Sequence, residues 1–397
     1  MLALSEISKL SGKKDKTRIT TMGDIKIDWI DFLDPKSGFP CLPLEYLWGC
    51  RGMVRGRMLK IEAEEGIGKS AYLTMLYGIA QRAAANCLHF EAENAIAPRD
   101  FLASFGCNPD QVLNVDLDVK SIEACFNEID LRTEQIHKLD PHSPLMAGVD
   151  SVSAFGAGDA ATDAAQDVNA SSGGGGLGLH ARFLSRWFRD RWTAAARRGI
   201  FLAVIAQVRE KINTTGMGNN KPQKTTIAER PLNFYSSFRL ELTSQKLRDS
   251  SGVDIGEIVR MKTTKNKLSR KGKRIEVPLI WDHGFDMDTA LLEMLVSLTK
   301  NGPIKLPDGR LFEISRTGGW IKCPLVCDKN IRTSEVKQFS ALFYSNTELL
   351  MAMREALCIR GFGFKFETDL EFGNHAMSPV NDPEEDEGDL DVEPATA

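Results

Sequence analysis

The segment from residue 58 to residue 70 constrains the fold of this chain more than any other part of its sequence. Residues 58–62 form an apolar run that predicts a strand, and residues 71–80 have the apolar spacing of a helix. The turn between them carries glycines and two polar side chains, namely Gly66, Gly68, Lys69 and Ser70. A strand, a glycine-rich turn and a helix N-terminus together predict a P-loop, whose backbone N–H groups bind phosphates.

In this loop we expect Lys69 to reach the terminal phosphates of ATP and the Ser70 hydroxyl to ligate Mg²⁺. Ala63 stands at the place of the first glycine of the usual pattern, and alanine disfavours a backbone with positive φ. The residues predicted to contact the nucleotide are Ala63, Glu64, Glu65, Gly66, Ile67, Gly68, Lys69, Ser70 and Asp150.

Polar side chains follow three further predicted strands, at the edge of an open α/β sheet where ligands collect. Glu91 and Glu93 follow the second strand, and a carboxylate there could deprotonate an attacking water. Asp150 follows the third strand and suits Mg²⁺ bound through water, while Gln207 follows the fourth and could sense a γ-phosphate. Each of them alone could be a turn or cap residue, but their order along the chain favours one nucleotide site.

Strand-like runs alternate with helical ones from about residue 58 to residue 285, which predicts a mainly parallel sheet covered by helices. The predicted strands are residues 58–62, 87–91, 145–150, 200–207, 236–242 and 257–263. The predicted organisation is a basic arm and lead-in segment (1–57), an α/β P-loop ATPase core (58–285), a small C-terminal α/β domain (286–372) and an acidic disordered tail (373–397).

The charge of the chain is unevenly placed along its sequence. Eight carboxylates and no Lys or Arg lie between Asp382 and the C-terminus, a composition that predicts disorder. This tail is either a solubilising end or an electrostatic mimic that competes with nucleic acid for basic surface. Residues 1–20 carry five basic side chains among Ser, Thr and Gly, so they predict a mobile arm.

The sequence contains no apolar run of membrane-spanning length and no N-terminal pattern of a secretion signal. Eight cysteines scattered over 397 residues are typical of reduced thiols rather than of a disulfide framework. We therefore expect a cytoplasmic protein without membrane contact.

The chain resembles the RecA-type homologous-recombination ATPases from about residue 40 to about residue 365. The segments that carry the resemblance are Phe-Glu-Ala-Glu-Asn-Ala (90–95), Val-Asp-Ser-Val-Ser-Ala (149–154), Ala-Gln-Val-Arg-Glu-Lys-Ile (206–212), Asn-Phe-Tyr-Ser-Ser-Phe-Arg-Leu (233–240) and Met-Lys-Thr-Thr-Lys-Asn-Lys-Leu (261–268). The resemblance implies that Glu93 is the catalytic base and that Gln207 couples the nucleotide state to a DNA loop. It also implies that Lys265 and Lys267 reach the phosphates of the nucleotide bound to a neighbouring subunit. Lys69 completes the predicted catalytic set.

Two segments beside the nucleotide site, residues 155–176 and 209–227, predict irregular loops that suit a long anionic ligand. Residues 177–191, between them, predict a helix whose arginines lie on one face, either as a DNA contact or as an ordinary surface. The resemblance implies that Arg182, Arg189 and Arg209 contact DNA phosphates. It also implies that Leu177 and Ile212 insert between base triplets, and Lys211 completes the predicted DNA-binding set.

The chain departs from the family at several positions. Its first loop is longer and acidic, its second loop has Ala228-Glu229 in place of two glycines, and Asp100 replaces the aromatic residue that stacks on adenine, with Phe101 next to it. Such divergence is what we expect of a phage-encoded version in a bacterial cytosol.

The sequence thus predicts an ATP- and Mg²⁺-dependent recombinase that forms helical filaments on single-stranded DNA and exchanges strands with homologous duplex DNA. Two alternatives stay open. A RecA-fold motor of the helicase type would form closed hexamers, although such motors usually offer an arginine finger rather than a lysine pair. A structural filament would bind ATP and DNA with little turnover.

Overall fold

The computed structural model describes residues 27–92, 97–117, 121–156, 175–211, 223–226 and 229–361. For residues 175–179, 209–211, 223–226 and 229 it describes the backbone alone. Glu93 and Ile212 lie outside the described residues, as do the predicted basic arm and the predicted acidic tail.

A ten-stranded sheet forms the centre of the described structure, preceded by a short two-stranded one. The strands of these two sheets are β1 (Trp29–Asp31), β2 (Gly52–Val54), β3 (Met58–Ala63), β4 (Asn86–Glu91), β5 (Val112–Asn114), β6 (Leu145–Asp150), β7 (Ile200–Lys211), β8 (Gln223–Thr226), β9 (Phe238–Arg248), β10 (Asp254–Asn266), β11 (Arg274–Ile280) and β12 (Gly284–Phe285). The large sheet has the order β12-β11-β10-β9-β3-β7-β6-β4-β5, and β8 pairs with β7 beside this path. The run from β9 to β5 is parallel, and β10 to β12 continue it in antiparallel pairing. The prediction of a mainly parallel sheet is confirmed.

Alternate residues of β7 pack into two different hydrophobic cores. Phe201, Ala203 and Ile205 belong to the first core, whereas Leu202 and Val204 belong to the second. Successive side chains of a strand point to opposite faces, so a strand covered on both faces must be apolar throughout. The uninterrupted apolar run that predicted this strand is the result.

Helices cover both faces of the sheet, in agreement with the prediction. They are α1 (Leu42–Trp48), α2 (Lys69–Arg82), α3 (Arg99–Ser104), α4 (Ile122–Leu139), α5 (Gly175–Asp190), α6 (Trp192–Arg197), α7 (Glu229–Tyr235), α8 (Met287–Thr299), α9 (Val336–Ser345) and α10 (Thr347–Ala356). Residues of α1, α2 and α8 fill the first core, and residues of α4, α5 and α6 fill the second.

The residues after β12 form small antiparallel sheets and helices that share the first core. These sheets consist of β13 (Ile304–Lys305), β14 (Leu311–Phe312), β15 (Ser315–Thr317), β16 (Trp320–Cys323) and β17 (Cys327–Arg332). Phe312, Phe339 and Phe343 are fully buried in the same core as α1. The division into domains at residue 285 stays a prediction.

A buried ion pair joins α1 to α10. Arg354 donates through Nε and Nη2 to the two carboxylate oxygens of Glu45, over 2.8 and 2.7 Å. Both side chains are 2–3% exposed. Burial raises the pKa of Glu45, and the neighbouring guanidinium opposes that shift. The pair thus connects residues more than 300 positions apart in the interior.

All eight cysteine side chains are free thiols, and six of them are buried. In the described part of the chain, every helix is too short or too polar to cross a lipid bilayer.

Candidate nucleotide site

The turn between β3 and α2 has the backbone of a phosphate-binding loop. Gly66 and Gly68 have φ angles of +78° and +74°, in the left-handed region that glycine adopts without strain. Gly68 immediately precedes α2, which begins at Lys69, so the first N–H groups of the helix point toward the turn. These groups and the positive end of the helix dipole favour an anion at this place.

Ala63 lies outside the left-handed part of the loop. It is the last residue of β3, is buried, and lies opposite Gln207 in the parallel ladder between β3 and β7. An extended backbone suits alanine, so the glycine missing from the usual pattern is not required here. The expected strain at Ala63 is therefore absent.

Ser70 and Asp150, the two predicted magnesium ligands, meet although they come from different elements. Ser70 is the second residue of α2, and Asp150 ends β6. The Ser70 hydroxyl donates to Asp150 Oδ2 over 2.5 Å. Mg²⁺ is usually held by one or two protein oxygens together with waters and substrate phosphates. A hydroxyl and a carboxylate at the end of a phosphate loop fit that requirement.

Gln207 connects β7 with the loop. Its side-chain Nε2 donates to Glu65 Oε2 over 3.5 Å, and its backbone N–H donates to the Ser153 hydroxyl. Lys69 donates through Nζ to the backbone oxygen of Glu64 in the same loop. Predicted nucleotide residues from β3, α2, β6 and β7 thus converge at one turn.

Lys265 and Lys267 occupy a different place. The Lys265 amino group donates to the backbone oxygens of Asn233 and Phe234, over 2.6 and 3.0 Å, at the C-terminal end of α7. Desolvation lowers the pKa of Lys265, and the Lys267 charge adds to that shift. Lys267 is exposed just beyond β10. A role of this pair toward a neighbouring subunit stays a prediction.

A buried polar cluster in β3 was missed by the sequence analysis. Lys60 is fully buried and donates to Glu62 and, over 2.9 Å, to Asn233 Oδ1. Arg239 of β9 completes the cluster, 3.0 Å from Glu62 Oε2. Asn233 also accepts from Lys265, so the P-loop strand and the lysine of β10 share one residue of α7. The signal was present as a Lys and a Glu two positions apart in an apolar strand, which places both on one face.

A cavity of about 320 Å³ lies next to the loop, whose residues Gly66, Gly68, Lys69 and Ser70 form part of its wall. Its walls include Phe101 of α3, Trp281 just beyond β11, and Glu257 of β10. Asp100, which replaces the family's aromatic residue, is exposed and lies outside this wall. Phe101 and Trp281 therefore supply aromatic surface to the cavity. The sequence analysis named Phe101 but did not identify Trp281.

Helix α5 presents its arginines to solvent, as predicted. Arg182, Arg186 and Arg189 are exposed, while Trp187 and Phe188 on the opposite side are buried in the second core. Arg186 lies 3.6 Å from the Asp190 carboxylate. Of the remaining predicted DNA contacts, Leu177 lies in α5, Arg209 and Lys211 lie in β7, and only their backbones are described.

The described parts of the second predicted loop form an antiparallel ribbon. Strand β7 continues to Lys211 and pairs antiparallel with β8, with Val208 opposite Thr226. The prediction that the chain becomes irregular at Arg209 is wrong at this ribbon. Two threonines in β8 favour extended structure, and the pairing satisfies backbone groups beyond the end of the parallel sheet.

Comparison with known proteins gives consistent matches. The family model described as the RecA N-terminal domain matches residues 1–286. The protein RecA of Deinococcus radiodurans is 27% identical over 297 residues, which cover 75% of this chain and 74% of that protein. RecA of Mycobacteroides abscessus is 28% identical over 296 residues, covering 74% and 77%, respectively. RecA of Gluconacetobacter polyoxogenes is 26% identical over 322 residues, covering 81% of each chain.

Proposed function

Because the chain belongs to the RecA family, we propose that it is a DNA-dependent ATPase that forms filaments on single-stranded DNA and promotes homologous pairing and strand exchange in recombination and repair. One observation carries the proposal. Strand β7 pairs with the P-loop strand at Gln207 and continues directly into the β7–β8 ribbon, which carries Arg209 and Lys211. A single strand thus joins the nucleotide site to a basic segment.

At the nucleotide site, each residue of the loop has a distinct task. The glycine turn and the first N–H groups of α2 hold the phosphates, and Lys69 neutralises their charge. Ser70 and Asp150 hold Mg²⁺, which screens the charge of the triphosphate. Glu93 takes a proton from the attacking water, and Lys265 and Lys267 of a neighbouring subunit complete the site.

The nucleotide state reaches DNA through Gln207. Its amide contacts Glu65 of the loop, so a γ-phosphate bound there competes for the same amide. Movement of this residue displaces the start of the β7–β8 ribbon, because Val208 begins the pairing with β8. We propose that this displacement changes the affinity for DNA, and that bound DNA repositions Gln207 and thereby changes the rate of hydrolysis. This DNA-coupled ATP hydrolysis takes place in the cytoplasm, where ATP, Mg²⁺ and DNA are present together.

The rate of ATP hydrolysis with and without long single-stranded DNA tests the proposal. We expect DNA to raise the rate roughly tenfold or more, the size of a typical coupling between sites. The Lys69→Ala variant supplies the blank. A companion assay follows exchange between a circular single strand and a homologous linear duplex.

The alternatives give different results in these assays. A rate that DNA leaves unchanged, with filaments present in electron micrographs, would favour the structural filament. Closed hexamers that unwind duplex DNA would favour the helicase-type motor.

The exposed face of α5 gives a second expected outcome. Arg182→Ala and Arg189→Ala should each weaken binding to labelled oligo(dT) and reduce the slope of log affinity against log salt by about 0.7, the value for one phosphate contact on a single strand. Arg186→Ala is the matched control, because Arg186 is equally exposed on α5 but its guanidinium lies 3.6 Å from the Asp190 carboxylate, which offsets its charge. Fluorescence anisotropy at several salt concentrations measures all three. Equal effects of the three variants would remove the assigned contacts.

A further inference from the structure

Glu257 forms part of the wall of the cavity beside the P-loop, yet one of its two carboxylate oxygens has no hydrogen-bond donor in the part of the chain that the structure describes. Its Oε2 atom is buried and makes no hydrogen bond with any residue in the described ranges. A buried carboxylate oxygen without a donor is unfavourable, because it has lost its water without a replacement.

The cations near Glu257 along the strands are engaged elsewhere. Lys246 lies opposite Glu257 in the ladder between β9 and β10, but its amino group donates to Asp254 Oδ2 over 2.6 Å. Arg260, three residues further along β10, donates to Glu276 over 2.8 Å. Both positive charges thus pair with other carboxylates, and a donor group on a ligand in the cavity would satisfy Glu257.

Two aromatic rings lie on the same cavity. The Phe101 side chain is 42% exposed and Trp281 is 54% exposed, although both are large and apolar. Phe101 is held edge-to-face against Phe105, with ring centroids 4.9 Å apart. Trp281 is anchored by its backbone N–H, which donates to Ile255. Exposed aromatic rings on the wall of a cavity suit the stacking of a planar base.

We propose that Glu257 is the residue that determines nucleobase specificity, by accepting a hydrogen bond from the exocyclic amino group of a purine that lies against Phe101 and Trp281. The inference rests on the proposed function, since it concerns the base end of the same nucleotide site. An ionised carboxylate only accepts hydrogen bonds, so it attracts an amino group and repels a carbonyl oxygen at the same place. The terminal torsion of glutamate is broad, and its rotation brings an oxygen to the cavity.

Pairs of nucleotides that differ by one amino group test this directly on the full chain. Purine riboside 5′-triphosphate is ATP without the 6-amino group, and inosine 5′-triphosphate is GTP without the 2-amino group. Competition against a fluorescent ATP analogue gives the affinity of each. We expect the wild-type chain to lose roughly tenfold or more in affinity in one of the two pairs, as is typical when a hydrogen bond to a charged group is lost. The adenine pair reports a contact with the 6-amino group, and the guanine pair reports one with the 2-amino group.

The Glu257→Ala variant should bind both members of the discriminated pair with affinities within about twofold, because the acceptor is gone. Glu257→Met, which keeps the length of the side chain but has only a weak thioether acceptor, guards against a folding defect and should also lose most of the discrimination. Glu276→Ala, at an exposed carboxylate on the adjacent strand, should discriminate like the wild type.

Discrimination that is absent in the wild type, or that persists in Glu257→Ala and Glu257→Met, overturns the inference. If no triphosphate binds the wild-type chain, the proposed function itself fails, a result distinct from binding without discrimination.

Discussion

Replacing Glu93 by glutamine is expected to lower the rate of DNA-stimulated ATP hydrolysis about 100-fold or more, because a positioned general base contributes 10²–10⁴ to such rates. Glutamine keeps the size and polarity of the side chain but cannot accept the proton of the attacking water. ATP affinity and filament formation should be retained, since the phosphate loop and the Ser70–Asp150 pair are unchanged. Initial hydrolysis rates, nucleotide competition and electron microscopy of filaments measure the three properties.

Glu91 offers the matched control, because it is the other carboxylate at the end of β4. It lies opposite Asp150 in the ladder, its side chain is 9% exposed, and its Oε2 is 3.4 Å from His89 Nε2. A carboxylate held in this way is poorly placed to take a proton from a water in the site, so Glu91→Gln should reduce hydrolysis much less. The reverse order of the two variants would move the base to Glu91, and normal hydrolysis in both would remove the assignment altogether.

Arg354→Met should produce the largest loss of stability. The substitution leaves the Glu45 carboxylate buried without its partner, and breaking a buried pair in this way typically costs about 3–5 kcal/mol. Without the guanidinium, the burial that raises the pKa of Glu45 loses its main opposing influence, and the carboxylate must take up a proton to stay in the core. The urea midpoint and slope of unfolding, followed by circular dichroism, measure the loss.

Two further variants separate the ion pair from a general effect of losing an arginine. Arg310→Met removes an exposed arginine that pairs with Asp308, and we expect almost no change in the midpoint. The double variant Glu45→Leu with Arg354→Met replaces both charges by apolar groups and should recover most of the stability, because no unpaired charge stays buried. A single variant as stable as the wild type would show that the pair contributes little.

The strand, turn and helix around residues 58–82 could be predicted because each depends on local sequence. Left-handed backbones require glycine, and Gly66 and Gly68 supply them. Parallel strands buried on both faces form nearly continuous apolar runs, which made β7 recognisable as a strand. The sequential order of β3, β6 and β7 also placed Asp150 and Gln207 at the same edge of the sheet as Ser70.

The remaining features depend on contacts between distant parts of the chain. The sequence of β3 does not reveal that Lys60 donates a hydrogen bond to Asn233, since this partner lies in a helix more than 170 positions later in the chain. Trp281 and Glu257 reach the cavity because β10 and β11 pair antiparallel in the part of the sheet that β9 joins to the P-loop strand. Residue periodicity does not specify which strands become neighbours. The β7–β8 ribbon was missed because polar residues separate two short extended segments.

The packing of β7 into two cores determines where the chain tolerates a change in length. Inserting one residue between Phe201 and Ala206 would turn every later side chain of the strand to the opposite face, exchanging the residues of the two cores. It would also move Gln207 from its position opposite Ala63. Because the ribbon begins at Val208, directly after Gln207, the spacing between the nucleotide contact and the ribbon is equally fixed. Variation in length among proteins built on this sheet should therefore occur before β7 or between β7 and β8, where added residues leave both registers intact.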